Sequence, residues 1–235
     1  MQKSPLTAQP NGLSPTMDSK TVYLIDLDGT ILKANPFFVF ANIFYILKNF
    51  FPVLGFKTFR IVTAAMKALL ENNGPSTNFD LLTRTLTEQS RKDLSRALWN
   101  FYRRDFPKLG SMCSPITEAA TKLRELKAKG HALYLTTNPI WPEECVHLRL
   151  KWAGLEPGFF NGITHSQNWH SCKPNVRYYR EILERWQLDP KNCVLIGDNV
   201  RKEGPAAELG IKVLILNPQD AGSFWRNLSG NQKGL

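Results

Sequence analysis

Three short apolar runs, each halted by polar residues, restrict the fold of this chain more than any other feature. TVYLIDL (21–27) runs into Asp28-Gly29-Thr30, HALYLTTN (131–138) ends on Thr137-Asn138, and NCVLIGD (192–198) ends on Gly197-Asp198, followed by Asn199. Runs of this length, partly β-branched and bounded by turn residues, predict β-strands. FFNGIT (159–164) and IKVLIL (211–216) are further strand candidates, and helical patterns at 142–152, 175–187 and about 204–209 lie between the runs. Strands alternating with helices predict an α/β fold with a doubly wound, Rossmann-like parallel sheet. In such a sheet the ligand crevice lies beyond the carboxyl ends of the strands. Asp26 and Asp28, Thr137 and Asn138, and Asp198 are therefore expected along one edge. Lys173, in a loop just before a helix, can swing over the same crevice.

Between the first strand and the rest, the rhythm is different. FFVFANIFYILKNF, FRIVTAAMKALL, FDLLTRTLTEQ and SRKDLSRALWNFYRRDF recur at helical spacing, interrupted at Asn72-Asn73-Gly74-Pro75-Ser76, and show no convincing strand. With 235 residues there is room for a core and an insert. The expected organisation is a disordered tail over 1–20, a core over 21–32 and 111–217, a helical insert over 33–110, and a polar, loosely held tail over 218–235. Ser114 followed by Pro115 predicts a helix start that runs to Gly130. The most apolar stretch, Phe37 to Phe51, is interrupted by Asn42, Lys48 and Asn49 and closed by Pro52. A bilayer span needs about 20 mostly apolar residues, so a buried or cleft-facing helix is expected here, with a membrane-surface helix as the alternative.

The net charge is +10, and residues 33 to 110 carry 12 Lys or Arg against 5 Asp or Glu. That excess suits an anionic partner, without separating nucleic acid, lipid headgroups and phosphorylated metabolites. Cys113, Cys145, Cys172 and Cys193 are far apart with no C-x-x-C pair, which suggests neither a zinc site nor a disulfide framework and fits a reducing cytosol. No signal-peptide pattern opens the sequence. A cytoplasmic location is expected.

Taken singly, an Asp at a strand end is a turn or cap residue and Lys173 a surface lysine. Taken together, these residues resemble the haloacid dehalogenase (HAD) superfamily at all four of its signature positions. Asp26-Leu27-Asp28-Gly29-Thr30 matches the first motif, Thr137-Asn138 the second, Lys173-Pro174 the third, and Gly197-Asp198 with Glu203 the fourth. The order is right, and the resemblance covers residues 21 to about 216. TTNPIWP, RLKWAGL and SCKPNVRYY also look like one bacterial branch of the superfamily, which narrows the lineage and supplies no substrate. The chain departs from the pattern at the fourth motif. Glu203 stands where a second Asp is usual, and the branch tends to read Gly-Asn-Asp where this chain reads Gly-Asp-Asn.

The resemblance implies a Mg²⁺-dependent phosphohydrolase. Asp26 would be the nucleophile, forming an aspartyl-phosphate, and Asp28 the general acid and base. Asp26, Asp198 and the Asp28 carbonyl would hold Mg²⁺. Thr137 and Asn138 would bind the substrate phosphate, with Thr136 the alternative to Thr137, and Lys173 would balance the negative charge. Glu203 would lie behind the metal ligands. Gly29 lets the chain leave the strand at Asp-Gly. The insert sits where the superfamily places a mobile α-helical cap, hinged near Lys33-Ala34-Asn35 and Leu109-Gly110-Ser111, which favours a small phosphorylated metabolite over nucleic acid. Asp28 argues against dehalogenation. Alternatives are a lipid-phosphate phosphatase or other membrane-associated activity, a phosphomutase, and an inactive anion- or membrane-binding module. Weak membrane contact would run through the cap. Oligomeric state is not legible.

Overall fold

Residues 21–228 are described by the structure, a computed structural model; residues 1–20, expected to be a disordered tail, and 229–235 lie outside them. In chain order the elements are β1 (Val22–Ile25), β2 (Leu32–Ala34), α1 (Phe37–Leu54), α2 (Thr58–Leu70), α3 (Asn78–Ser90), α4 (Ser95–Asn100), β3 (Cys113–Pro115), α5 (Thr117–Ala128), β4 (Ala132–Leu135), α6 (Glu143–Trp152), β5 (Gly162–Ile163), α7 (Val176–Arg185), β6 (Cys193–Gly197), α8 (Val200–Glu203), β7 (Lys212–Ile215) and α9 (Ala221–Asn227). Five strands form one parallel sheet in the order β5-β4-β1-β6-β7. The first apolar run is thus the middle strand, with Ile25 in register with Leu135 on one side and Ile196 on the other.

A sheet covered on both faces needs strands that are apolar on both faces. Every residue of β6 is buried, and β1 buries Tyr23, Leu24 and Ile25. Alternate side chains then feed two separate cores. Tyr23 and Ile25 pack with Leu123, Leu133, Leu135 and Trp225. Leu24 packs on the other side with Trp169, Tyr178, Tyr179, Ile182 and Leu195. This is the α/β doubly wound sheet read from the sequence.

Several local expectations are corrected. FFNGIT contributes only Gly162–Ile163 to the sheet, and 204–209 is a 3-10 segment preceded by the short α8. Ser114 does not cap a helix. Cys113–Pro115 pairs antiparallel with Leu32–Ala34, and α5 begins only at Thr117. A strand therefore exists where the helical insert was expected to begin. The expected polar tail after Asn217 holds a helix, α9, among the described residues. Trp225 of α9 is buried and its Nε1 donates to the Thr30 carbonyl at 2.8 Å. One large aromatic ring outweighs the polar composition around it, because its burial and hydrogen bond tie the helix to the loop after β1.

Between β2 and β3 the chain builds a helical body whose core of Phe50, Ile61, Leu69, Leu82, Leu98 and Phe106 runs on into Cys145 and Cys172 outside it. Its α3 is capped by the Thr77 side chain, which accepts from the Asp80 amide. The first turn of α3 also meets the sheet domain. The Asn78 amide donates to the Trp169 carbonyl, the Phe79 amide to the Ser166 carbonyl, and Asn78 Nδ2 to the Pro139 carbonyl at 3.1 Å. The Phe37–Phe51 stretch is buried along one face only. Phe37, Phe40, Ile43, Phe44, Leu47 and Phe51 are exposed, while Phe50 and Leu54 on the opposite face are buried.

His165, in the loop after β5, is buried, and burial pulls its imidazole down to about 4, with the Glu143 carboxylate opposing and His147 and Arg185 assisting. It is neutral in the fold, whereas an unfolded histidine protonates below about 6.5. Between those values the unfolded chain binds more protons, so stability falls as pH falls through that window. The unfolding midpoint is expected to drop from about pH 6.5 towards about 4, and more weakly in His165→Asn. Parallel midpoint-against-pH curves for the two proteins would contradict this.

Candidate active site

Three neighbouring strands, β4, β1 and β6, end at the same sheet edge, and Asp26 stands one residue past the middle one. Its amide still donates to the Ile196 carbonyl at 2.9 Å, so the ladder holds the residue's backbone after the strand has ended. The chain then turns tightly. The amides of Thr30, Ile31 and Leu32 all point at the Leu27 carbonyl, and the Gly29 amide donates to the Leu32 carbonyl. Gly29 has φ +71°, and a Cβ there would lie 2.2 Å from Asp198 Oδ2. Glycine is required on both counts, by backbone conformation and by the close approach of the β6 carboxylate.

Lys173 is the centre of the buried charge network. Its side chain is fully enclosed, and Nζ donates to Asp26 Oδ1 at 2.8 Å and to Glu203 Oε1 at 3.0 Å. Burial would pull the ammonium pKa down, but the Asp26 and Glu203 carboxylates outweigh it and hold the value above the ordinary one. The loop is fixed from both ends. The Lys173 amide donates to Asn138 Oδ1 at 3.1 Å, and the Asn175 side chain caps α7. Glu203 also accepts from the Tyr179 hydroxyl at 2.8 Å, and burial pushes its carboxyl up. Asn199, the neighbour that competed with Asp198 in the sequence, caps α8 by accepting from the Arg201 and Lys202 amides.

Asp28 points elsewhere. Its carboxylate meets the guanidinium of Arg149, a residue that sequence reasoning missed. Arg149 lies on α6 in register with the buried Cys145, Val146 and Leu150. A charged residue on the apolar stripe of a helix was the available signal. Burial draws its pKa down to about 10, opposed by the Asp26 carboxylate. Its Nε and Nη1 have no partner among the described residues, so two buried nitrogens with three N–H groups between them remain unsatisfied next to the acidic edge.

Thr137 is anchored through its backbone. Its carbonyl accepts from the Thr164 hydroxyl at 2.7 Å and the Tyr178 hydroxyl at 2.9 Å. The Thr136 amide donates to the Ile25 carbonyl, and its hydroxyl is buried without a partner among the described residues. The structure thus gathers Asp26, Asp28, Thr137, Asn138, Lys173 and Asp198 around one sheet edge and adds Arg149, Glu203 and Tyr179.

The donor set suits a hard divalent cation. Asp26 and Glu203 share Lys173 and Asp28 meets Arg149, while Asp198 has no ion pair among the described residues. Burial, and next the Asp26 charge, push the Asp198 carboxyl up, against the opposing Lys202 and Lys173 cations. No group of three His, Cys, Asp or Glu side chains is placed to bind a metal among the described residues. Asp26 and Asp198 could supply two carboxylates, and the Asp28 carbonyl, which accepts no backbone hydrogen bond among the described residues, could supply a third oxygen. Such a sparse oxygen set matches an ion that keeps several waters.

Comparison with known proteins agrees with this geometry. The sequence profile of haloacid dehalogenase-like hydrolases matches residues 20–210. Enolase-phosphatase E1 of Persephonella marina (strain DSM 14350 / EX-H1) is 29% identical over 115 residues, 48% of this chain and 49% of that protein. The chain thus spans about half the length of the curated relative it matches. A HAD phosphatase from Thermococcus onnurineus superposes with a TM-score of 0.54 at 20% identity, covering 84% of this chain and 86% of its own. YfnB of Bacillus subtilis, described as a HAD-hydrolase bound to magnesium with interdomain movement, gives 0.53 at 20% identity, covering 86% and 91%. At these identities the two structures speak to the fold alone. The profile spans most of the chain and takes in all four motifs along the sheet edge, and the chain therefore belongs to the haloacid dehalogenase-like hydrolases.

Proposed function

We propose that the chain is a Mg²⁺-dependent phosphohydrolase that cleaves a small phosphomonoester through an aspartyl-phosphate on Asp26. The observation that carries the reading is the asymmetry of the Asp26 carboxylate. Oδ1 is held by the enclosed Lys173 ammonium at 2.8 Å, while Oδ2 accepts no hydrogen bond among the described residues. A carboxylate oriented through one oxygen presents the other as a nucleophile that needs no activating base.

Oδ2 of Asp26 would attack phosphorus as the ester P–O bond breaks, and Asp28 would give its proton to the departing oxygen. Water would then attack the acyl-phosphate phosphorus, Asp28 would take its proton, and inorganic phosphate would leave with the Asp26 carboxylate restored. Asp28 meets Arg149 in the fold, so its carboxyl would have to leave that contact to reach the departing oxygen. Phosphate oxygens would compete for the same guanidinium through its unpaired Nε and Nη1. Asp26, Asp198 and the Asp28 carbonyl would hold Mg²⁺, which supplies charge neutralisation for the transferring phosphoryl group. Thr137 and the Asn138 amide would position its oxygens. The helical body between β2 and β3 would act as the cap, since α3 already bonds to the loops that follow Asn138 and precede Lys173.

The test is hydrolysis of p-nitrophenyl phosphate by the full chain. Turnover should require Mg²⁺, vanish with EDTA and return when Mg²⁺ is restored in excess. Undiminished turnover in EDTA would remove the metal from the reading.

A further inference from the structure

The insert carries an apolar surface that the proposed chemistry does not use. Phe37, Phe40, Phe44, Leu47 and Phe51 recur at three- and four-residue spacing along α1 and are all exposed, Phe37 by 70% and Phe40 by 69%. The stripe continues past the break at Gly55 into Phe56, which is 97% exposed, and Phe59. α2 prolongs it through Thr63, Lys67 and Leu70, all on the same side and all exposed. Scattered exposed apolar residues are ordinary, but a contiguous aromatic stripe of this length marks an interaction surface.

The charge around it selects the partner. No acidic residue occurs between Asp28 and Glu71, whereas Lys33, Lys48, Lys57, Arg60 and Lys67 fall in that interval. Lys48 is shared with Asp105, but Lys33, Lys57, Arg60 and Lys67 are exposed. Lys92 joins them at the end of α1, where its Nζ donates to the Val53 carbonyl at 2.7 Å. Glu71, beyond the far end of α2, and Asp93 beside Lys92 are exposed carboxylates next to these cations in sequence. A phenylalanine stripe rimmed by basic side chains complements an anionic phospholipid surface, whose headgroups meet the cations while the rings enter the acyl boundary.

By length and composition alone, an 18-residue window within Phe37–Leu70, of mean hydropathy 1.7, would qualify as a membrane span. Its packing opposes that reading. Gly55 breaks it into two helices, and the inner face is committed to the protein. Phe50, Leu54, Ile61, Ala65 and Leu69 are buried, and Asn49 Nδ2 donates to Asp105 Oδ2 at 2.8 Å. A spanning helix needs lipid or protein on all sides, whereas this pair is covered on one face and bare on the other. We propose that the exposed face of α1 and α2 docks the protein onto an anionic phospholipid bilayer, lying in the interface rather than crossing it.

Flotation on a density gradient tests this with the full chain, because vesicle-bound protein rises while aggregates sink. The protein should float with phosphatidylcholine vesicles containing phosphatidylglycerol, much less with phosphatidylcholine alone, and progressively less as salt is added. Phe40→Ser/Phe44→Ser/Phe56→Ser should remain at the bottom with an unchanged unfolding midpoint, since its three sites are solvent-facing. Lys57→Glu/Arg60→Glu should weaken binding by about tenfold or more. Wild type that stays down with anionic vesicles, or a triple variant that floats like wild type, would overturn the proposal. Equal, salt-insensitive flotation with neutral vesicles would overturn its anionic part. A wild-type dimer that the triple variant converts to monomer, without flotation, would reassign the face to a second copy of the chain.

Discussion

Asp26→Asn should lower turnover of p-nitrophenyl phosphate on the order of 10⁴-fold or more, while the protein stays folded. The expectation rests on position as much as on residue type. The Asp26 backbone is fixed by its bond to Ile196 and its Oδ1 by Lys173, so asparagine can occupy the same volume. What changes is the attacking atom, because an amide has no nucleophilic carboxylate oxygen to offer phosphorus. Stability should not suffer. Asp26 raises the pKa of both Asp198 and Glu203, so neutralising it relieves repulsion, and Lys173 keeps Glu203 as a partner. The informative comparison is therefore initial rate against unfolding midpoint at saturating Mg²⁺. Loss of rate with an unchanged or higher midpoint supports covalent catalysis at Asp26. A variant within tenfold of wild type would exclude it.

The parts of this site that the sequence disclosed share one property. Asp26, Thr137 and Asp198 sit where an apolar run ends, and the ends of neighbouring parallel strands must lie together. One-dimensional punctuation therefore carries three-dimensional placement. Lys173 was legible because it precedes a helix in the right order, although nothing local revealed that it would be fully enclosed. Arg149 was not legible as a site residue. Its neighbours read as an ordinary charged helix, and only the packing of Cys145, Val146 and Leu150 shows that it sits on the buried face. The two short strands Leu32–Ala34 and Cys113–Pro115 were missed for a different reason. Three residues have too little pattern to register, and their pairing joins segments some eighty positions apart. The Phe37–Phe51 stretch illustrates the limit most clearly. Its apolar content was plain, but composition does not say whether protein covers it, and here one face is left open.

Lys173→Met should damage both activity and folding, and the two losses have separate origins. In the fold the ammonium is enclosed between Asp26 and Glu203, at 2.8 and 3.0 Å. Methionine fills similar space but leaves both carboxylates facing an apolar chain. Breaking one partner out of a buried ion network costs about 3–5 kcal/mol, because an uncompensated charge stays behind. The Lys173 pKa is raised in the fold, so its contribution is present below the ordinary lysine value and lost only as pH rises through the raised one. The stability difference between wild type and variant should accordingly persist across neutral pH and shrink only under strongly alkaline conditions. Glu203→Gln provides the internal control. Added to Lys173→Met, it removes the more deeply buried of the stranded carboxylates, so the double variant should recover part of the lost stability and the pair should be non-additive in a mutant cycle. Activity should not recover, since the cation that orients Asp26 is still missing, a loss of about 10²–10³-fold. A Lys173→Met protein as stable as wild type would mean that Asp26 and Glu203 find other compensation. A double variant that regained activity with stability would show that Lys173 serves the fold and not the reaction.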